Sequence, residues 1–269
     1  MSNIRLSKSG IEYLDYVWNF YSGCENPERG ICSLGNVCWA KKITERFSAH
    51  YPNGFKPTFY PGAIISPLRL TKPARIGVCF MGDLFGDWNF INQGELPSLL
   101  WEIIRCCPQH TFIFLTKCPW NLIKFSPFPD NCWVGVTVTN DKQMNNALYF
   151  NSNYKVKIKF LSFEPLLGQI DKAHLAMYRY DWLIIGACTG TMKELLPLHH
   201  KTGLPMIRWR GNKWILSPPI GAVEEIVLAA DKAGIPVFLK NNLAPVLEVR
   251  KPFIETTRSY TRYPRQEMP

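Results

Sequence analysis

Short apolar runs alternate along the chain with longer stretches whose apolar residues recur at helical spacing. The runs predict strands at Asp15-Tyr21, Arg75-Met81, Thr111-Thr116, Cys132-Val138, Lys157-Phe163, Trp182-Ala187 and Pro236-Lys240. Several are apolar almost throughout, as in Phe112-Ile-Phe-Leu115 and Trp182-Leu-Ile-Ile185, the composition of strands covered on both faces. Helices are expected at Cys38-Ala49, Gly94-Cys107, Lys142-Phe150 and Ala222-Ala233, the last stopped by Gly234 and Pro236. This order predicts an α/β fold, a partial (βα) TIM-like barrel in a single domain over residues 1–245, followed by a basic tail at 246–269. Barrels of this kind place their chemistry at the carboxyl ends of the strands, so the loops after Tyr21, Met81, Thr116, Val138, Phe163 and Ala187 are the candidate site. The segment Leu204-Ser217 breaks the alternation. Its two apolar-aromatic arms around Gly211-Asn212 predict an inserted hairpin or ordered loop.

Composition changes this picture at two points. The 269 residues include nine cysteines, an odd number in a chain whose first ten residues lack a secretory apolar region. The thiols are therefore expected to be reduced, and the protein cytoplasmic with no membrane partner. Three of them, Cys24, Cys32 and Cys38, fall within fifteen residues, in a loop rich in Gly, Asn and Pro between the first strand and the first helix. Three thiolates on one loop can bind three corners of an iron-sulfur cube and leave the fourth iron open. Free thiols, or a zinc site completed by His50 or Cys118, are the alternatives at this point. Cys106-Cys107 at a helix end, and Cys79, Cys132 and Cys188 beside strands, are expected to be packing residues, and His199-His200 to lie in a solvated polar loop.

The net charge of +10 favours an anionic partner, and half of it lies beyond residue 200, where eleven Lys and Arg face six Asp and Glu. In Arg208-Trp209-Arg210-Gly211-Asn212-Lys213-Trp214 cations alternate with tryptophans, a pattern that can neutralise phosphate and stack on a base. The tail adds Arg250, Lys251, Arg258, Arg262 and Arg265 with Phe253, Tyr260 and Tyr263. DNA or RNA is the expected macromolecular substrate.

The collinear blocks also carry a family resemblance. Gly23-Cys24, Gly30, Cys32 and Cys38-Trp39-Ala40 resemble the Gly-Cys, Gly-Cys, Cys-Tyr-Ala block of the phage-associated gene-product thirty-seven/sixty-eight family, a radical S-adenosylmethionine-like group. Met81-Gly-Asp83-Leu-Phe85 is similar to that family's Met-Ser-Asp-Leu-Phe, and Pro108-Gln-His-Thr-Phe112 with Leu115-Thr-Lys-Cys-Pro119 to its Pro-Gln-His-Thr-Phe and Leu-Thr-Lys-Arg-Pro. Cys132-Trp-Val-Gly135-Val-Thr137 and Phe160-Leu-Ser-Phe-Glu164-Pro-Leu-Leu-Gly168 match two further blocks, and Trp182-Leu-Ile-Ile-Gly186 and Val237-Phe-Leu-Lys240 complete the series. The chain departs from the family in a cysteine spacing three residues longer before Cys38 and in Cys118 where the family has Arg.

The resemblance implies a barrel of the radical S-adenosylmethionine type, distantly similar to the photoproduct lyases of DNA repair. It implies that Cys24, Cys32 and Cys38 hold a 4Fe-4S cluster and that S-adenosylmethionine is the cosubstrate, with an electron donor such as flavodoxin or ferredoxin. Asp83 and Glu164, one after the second strand and one after the fifth, are then expected to hold the cosubstrate's ammonium or ribose hydroxyls. Lys117 is expected to meet an anion or a carboxylate, and Trp39 to cover the cluster or the adenine. Thr137 and Thr139 stand at the mouth with less to distinguish them. A non-catalytic nucleic-acid-binding protein with zinc or a structural cluster, and a radical enzyme acting on a small metabolite or peptide, remain the rival readings.

Overall fold

The computed structural model describes residues 6–86, 95–151, 154–171, 180–248 and 265–269. The chain divides into two compact units, residues 1–136 with 152–157, and residues 137–151 with 158–269.

In the first unit, strands β1 (Leu6–Lys8), β2 (Tyr16–Trp18), β5 (Arg75–Val78), β6 (Thr111–Thr116) and β7 (Cys132–Thr137) lie side by side in that order. β1 runs antiparallel to β2, and the pairs β2–β5, β5–β6 and β6–β7 are parallel. A short antiparallel pair, β3 (Tyr21–Ser22) with β4 (Thr58–Phe59), stands apart. Helix α1 (Trp39–Arg46) follows the cysteine loop, and α2 (Glu95–Arg105) precedes β6. α2 buries Leu96, Leu100, Ile103 and Ile104, the spacing of one helical face. The core is aromatic: Phe85 packs edge-on to Phe125 with ring centres 4.8 Å apart, and Trp101 meets Phe128 at 5.2 Å. The buried indoles keep a polar partner, Trp18 Nε1 donating to Ala63 O at 2.9 Å and Trp101 Nε1 to Phe125 O at 3.0 Å.

The second unit carries parallel strands β8 (Ile158–Phe163), β9 (Trp182–Ile185) and β13 (Val237–Leu239). All four residues of β9 are buried, in keeping with its unbroken apolar run. Helix α5 (Ile220–Ala233) presents Ala222, Val223, Ile226, Val227 and Ala230 to the core and ends at Gly234, whose N–H returns to Ala230 and Asp231. Helix α3 (Met144–Asn151) begins after a 3-10 turn at Asp141–Gln143, and α6 (Ala244–Glu248) follows β13.

Alternating strands and helices with parallel pairing are thus present in both units, the mixed α/β architecture expected, with every matching strand except β6 shorter than its apolar run. Two local expectations are corrected. His199 and His200 are not in a loop, although His200 is exposed as expected. They occupy the last turn of an unforeseen helix, α4 (Met192–Thr202), started by a capping box in which Thr191 and Glu194 bond reciprocally. Cys106 is exposed whereas Cys107 is buried, because the chain turns at the end of α2 and only the second thiol points inward. The tail cations Arg250, Lys251, Arg258 and Arg262, with Phe253, Tyr260 and Tyr263, and the expected helix start at Gly94, lie outside the described residues. The last described residues add an antiparallel rung to β13: Leu239 N–H donates to Arg265 O, Glu267 N–H to Val237 O, and Trp182 Nε1 to Glu267 O. Among the described residues no helix is long and apolar enough to cross a membrane.

At the start of the cysteine loop the backbone approaches its neighbours closely. Gly23 has φ +90°, and a Cβ placed on it would stand 2.3 Å from Lys56 O, while one on Gly82 would stand 2.3 Å from Gly23 O. Gly30 also has positive φ (+71°) but nothing within 4 Å. Gly23→Ala should therefore cost about 3 kcal/mol in denaturant unfolding, against about 1 kcal/mol for Gly30→Ala. Equal losses in the two variants would remove the close approach as the reason for glycine at position 23.

Candidate functional site

The loop that carries the three cysteines is folded by its own backbone. Gly23 bridges in parallel to Gly82, and Cys24 N–H donates to Phe55 O at 3.2 Å. The chain then turns on Asn26, whose carbonyl accepts from both Ile31 N–H (2.8 Å) and Cys32 N–H (3.1 Å), so a seven-residue excursion returns Cys32 to the neighbourhood of Cys24. A 3-10 turn at Gly35–Val37 buries Val37 and delivers Cys38 to the start of α1, where its carbonyl accepts from Lys42 N–H. None of the nine cysteines is in a disulfide. Cys24, Cys32 and Cys38 are half-buried, in contrast to Cys79, Cys107, Cys118, Cys132 and Cys188, which are buried. Trp39, the first residue of α1, is 47% exposed beside Cys38, and so is not spent on helix packing.

Beneath the loop sits Asp83, 5% exposed. The chain reaches it from β5 through Cys79, a non-glycine residue at φ +57°, and a turn closed by Gly82 N–H to Cys79 O. Both carboxylate oxygens are fully engaged by the protein. Oδ1 accepts from Thr116 Oγ1 at 2.7 Å and Phe85 N–H at 3.2 Å. Oδ2 accepts from Asn26 Nδ2 at 2.7 Å and Lys117 N–H at 2.9 Å. Asn26 completes the set: its Oδ1 accepts the Cys118 thiol proton at 3.2 Å and its N–H points at Cys24 Sγ, 3.4 Å away. Asp83, expected as a cosubstrate ligand, is thus the tie between the cysteine loop and the end of β6.

Lys117 brings the cation. Burial opposes its charge, but Cys32, Asp83, Cys24 and Cys38 together outweigh burial and hold its pKa above the ordinary lysine value. For Cys24 burial is the largest influence and Asp83 adds to it, pushing the thiol up to about 12 against the opposing Asn26 N–H and Lys117. Lys117 is half-buried, and the three loop thiols are among the groups that keep it protonated. Among the described residues no three His, Cys, Asp or Glu side chains close on a single metal ion. Three half-buried cysteines on one loop are a donor set that an iron-sulfur cube takes, as zinc also can. Of the fourth zinc ligands considered, His50 is exposed and Cys118 is turned to Asn26.

The second unit holds its own polar group. Glu164, after β8, pairs with Lys240, after β13, and the lysine is only 8% exposed. Gly186 leaves them room: a Cβ there would stand 3.0 Å from Lys240 Cδ and 3.2 Å from Glu164 Cγ. Asn242 fixes the neighbouring loop by two bonds to Ala187, accepting its N–H at 3.0 Å and donating to its carbonyl at 2.8 Å. The hydroxyls of Thr137 and Ser162 are buried without a protein hydrogen-bond partner, whereas Thr139 donates to Gln143 Oε1. Lys240, Asn242 and Asn26 were missed as site residues. A signal existed for Lys240, since a lysine that closes an apolar strand must be paired if it is buried.

The expected hairpin is present as β11 (Met206–Arg210) and β12 (Lys213–Leu216), with β10 (Cys188–Gly190) as a third strand on the other side of β12. Arg208 lies opposite Trp214, Arg210 opposite Lys213, and the register shifts at Trp209 between them. Arg208, Arg210 and Lys213 are exposed, and the two tryptophans half-buried. The Arg210 guanidinium stands 5.0 Å from the Trp209 ring centre, and Arg208 Nε donates to Gly211 O at 3.2 Å.

Three solved structures of spore photoproduct lyase share this fold. The enzyme complexed with dinucleoside spore photoproduct has 10% sequence identity and a TM-score of 0.54, covering 88% of this chain and 79% of its own. A cysteine-to-alanine variant with the same ligand gives 10% and 0.56, and a cysteine-to-serine variant 9% and 0.52, each covering 89% of this chain and 79% of its own. No curated protein matches the sequence. Residues 8–201, well over half of the chain, match a family described as a protein of unknown function (DUF5131), and the chain belongs to that family.

Proposed function

We propose that the protein is a radical S-adenosylmethionine enzyme acting on an anionic, nucleic-acid substrate. The observation that carries this is the loop of three half-buried thiols, folded back through the Asn26 carbonyl and tied to Asp83 by the Asn26 side chain. The spore photoproduct lyase fold, seen with a dinucleoside ligand, supports it, as does the resemblance to a radical S-adenosylmethionine-like family. When bound, a 4Fe-4S cluster held by Cys24, Cys32 and Cys38 with S-adenosylmethionine supplies one-electron cleavage of the sulfonium and a 5′-deoxyadenosyl radical that takes hydrogen from substrate.

The chain's own residues have separate tasks. Lys117 offsets the charge of three thiolates, and Asp83 fixes the loop that presents them. Trp39, exposed beside Cys38, is placed to cover that side of the loop from water. Glu164 accepts from ammonium or hydroxyl groups of the cosubstrate, with Lys240 as its counter-ion. Arg208, Arg210 and Lys213 neutralise phosphates, and Trp209 and Trp214 offer faces to bases. A one-electron donor of the flavodoxin or ferredoxin class is the required partner.

Anaerobically reconstituted protein should contain about four irons per chain. It should also release 5′-deoxyadenosine from S-adenosylmethionine under strong reductant, and Cys32→Ala should abolish both. One zinc per chain with no cleavage would replace this reading by the non-catalytic one. For the hairpin, the triple variant Arg208→Ala, Arg210→Ala, Lys213→Ala should bind single-stranded DNA more weakly and lower the slope of log affinity against log salt by about 2. An unchanged slope would leave the hairpin without a role in nucleic-acid binding.

A further inference from the structure

Asn26 is 2% exposed and has no place in the sequence argument, yet it makes more directed contacts in the site than any cysteine. Its main chain serves the loop: the carbonyl accepts from Ile31 and Cys32, and the N–H is aimed at Cys24 Sγ at 3.4 Å. Its side chain serves the strand ends, donating to Asp83 Oδ2 at 2.7 Å and accepting from Cys118 Sγ at 3.2 Å. The amide therefore has one face fixed by an ionised carboxylate and the other by a thiol. That clamp holds the attached peptide in one orientation. A buried asparagine needed only to close a turn would not require both.

We propose that Asn26 is a positioning residue that sets the reduction potential of the cluster: clamped between Asp83 and Cys118, it holds its N–H on the sulfur of the first ligand, Cys24. The inference rests on the cluster reading above. A donor on a ligand sulfur stabilises the more negative, reduced state of an iron-sulfur centre, so the N–H raises the potential and loss of its alignment lowers it. Cys118 acts at one remove. It stands where the family resemblance has Arg, and it supplies a side-chain donor to Asn26 Oδ1 that fixes which way round the amide lies.

The test is a redox titration of the reconstituted full-length protein, followed by electron paramagnetic resonance, with iron content measured in parallel. At a fixed applied potential the ratio of reduced to oxidised cluster should fall about tenfold in Asn26→Ala, a shift of about 59 mV for a one-electron couple. In Cys118→Ala it should fall about threefold. Cys118→Ser, which keeps a donor to Asn26 Oδ1, should restore the wild-type ratio. If Asn26→Ala loses its iron, the comparison of Cys118→Ala with Cys118→Ser decides alone, since both leave the loop sequence intact. A wild-type potential in Cys118→Ala with full iron content, or a shift that Cys118→Ser does not reverse, overturns the inference while the cluster reading stands. Wild-type protein that assembles no four-iron centre removes the cluster reading itself.

Discussion

A carboxylate in an apolar interior is stable only if both oxygens are saturated by donors, and at Asp83 four donors come from three separate stretches of chain. Phe85 belongs to Asp83's own turn, Thr116 and Lys117 to the end of β6, and Asn26 to the cysteine loop. Because each donor to an ionised acceptor contributes about 1.5–3 kcal/mol, the group binds these segments more firmly than neutral turns could. The position of Asn26, and through its carbonyl that of Cys32, follows from this one anion. So does the direction of Lys117, whose peptide N–H is taken by the same oxygen.

The two units solve the same electrostatic problem in different ways. In the first, Asp83 and the three loop thiols together keep the half-buried Lys117 protonated. In the second, Glu164 and Lys240 cancel one for one, and Gly186 permits the approach. A balanced buried pair contributes little net stability but makes either member costly to remove alone. The hairpin departs from both: its cations face water and are matched by aromatic faces in place of carboxylates.

How far the fold and the site could be read from residues depended on the range of the interaction concerned. β6 emerges with the bounds its apolar run indicates, because its periodicity is local and its packing on both faces leaves no ambiguity. The hairpin around Gly211-Asn212 was legible for the same reason. Helix α4 was not, although Thr191 and Glu194 spell a capping box, because Pro197, His199 and His200 mask its apolar spacing. The cysteine trio was visible as a spacing. That Asp83 would tie the loop to β6 was not, since Asn26 meets Asp83 across fifty-seven residues and nothing in either neighbourhood announces the other.

The outward turn at the end of α2 has a practical corollary. Cys106 alone among the nine thiols is exposed, remote in sequence from the loop cysteines and outside the Asp83 network. It gives the protein a chemically addressable point on its surface. A maleimide at low dose meets this thiol before the half-buried ones, so a fluorophore or spin label can be placed without competing for the groups that matter. The same accessibility means that air oxidation links two copies through Cys106 first, and a covalent dimer on a non-reducing gel would report storage conditions and say nothing about assembly.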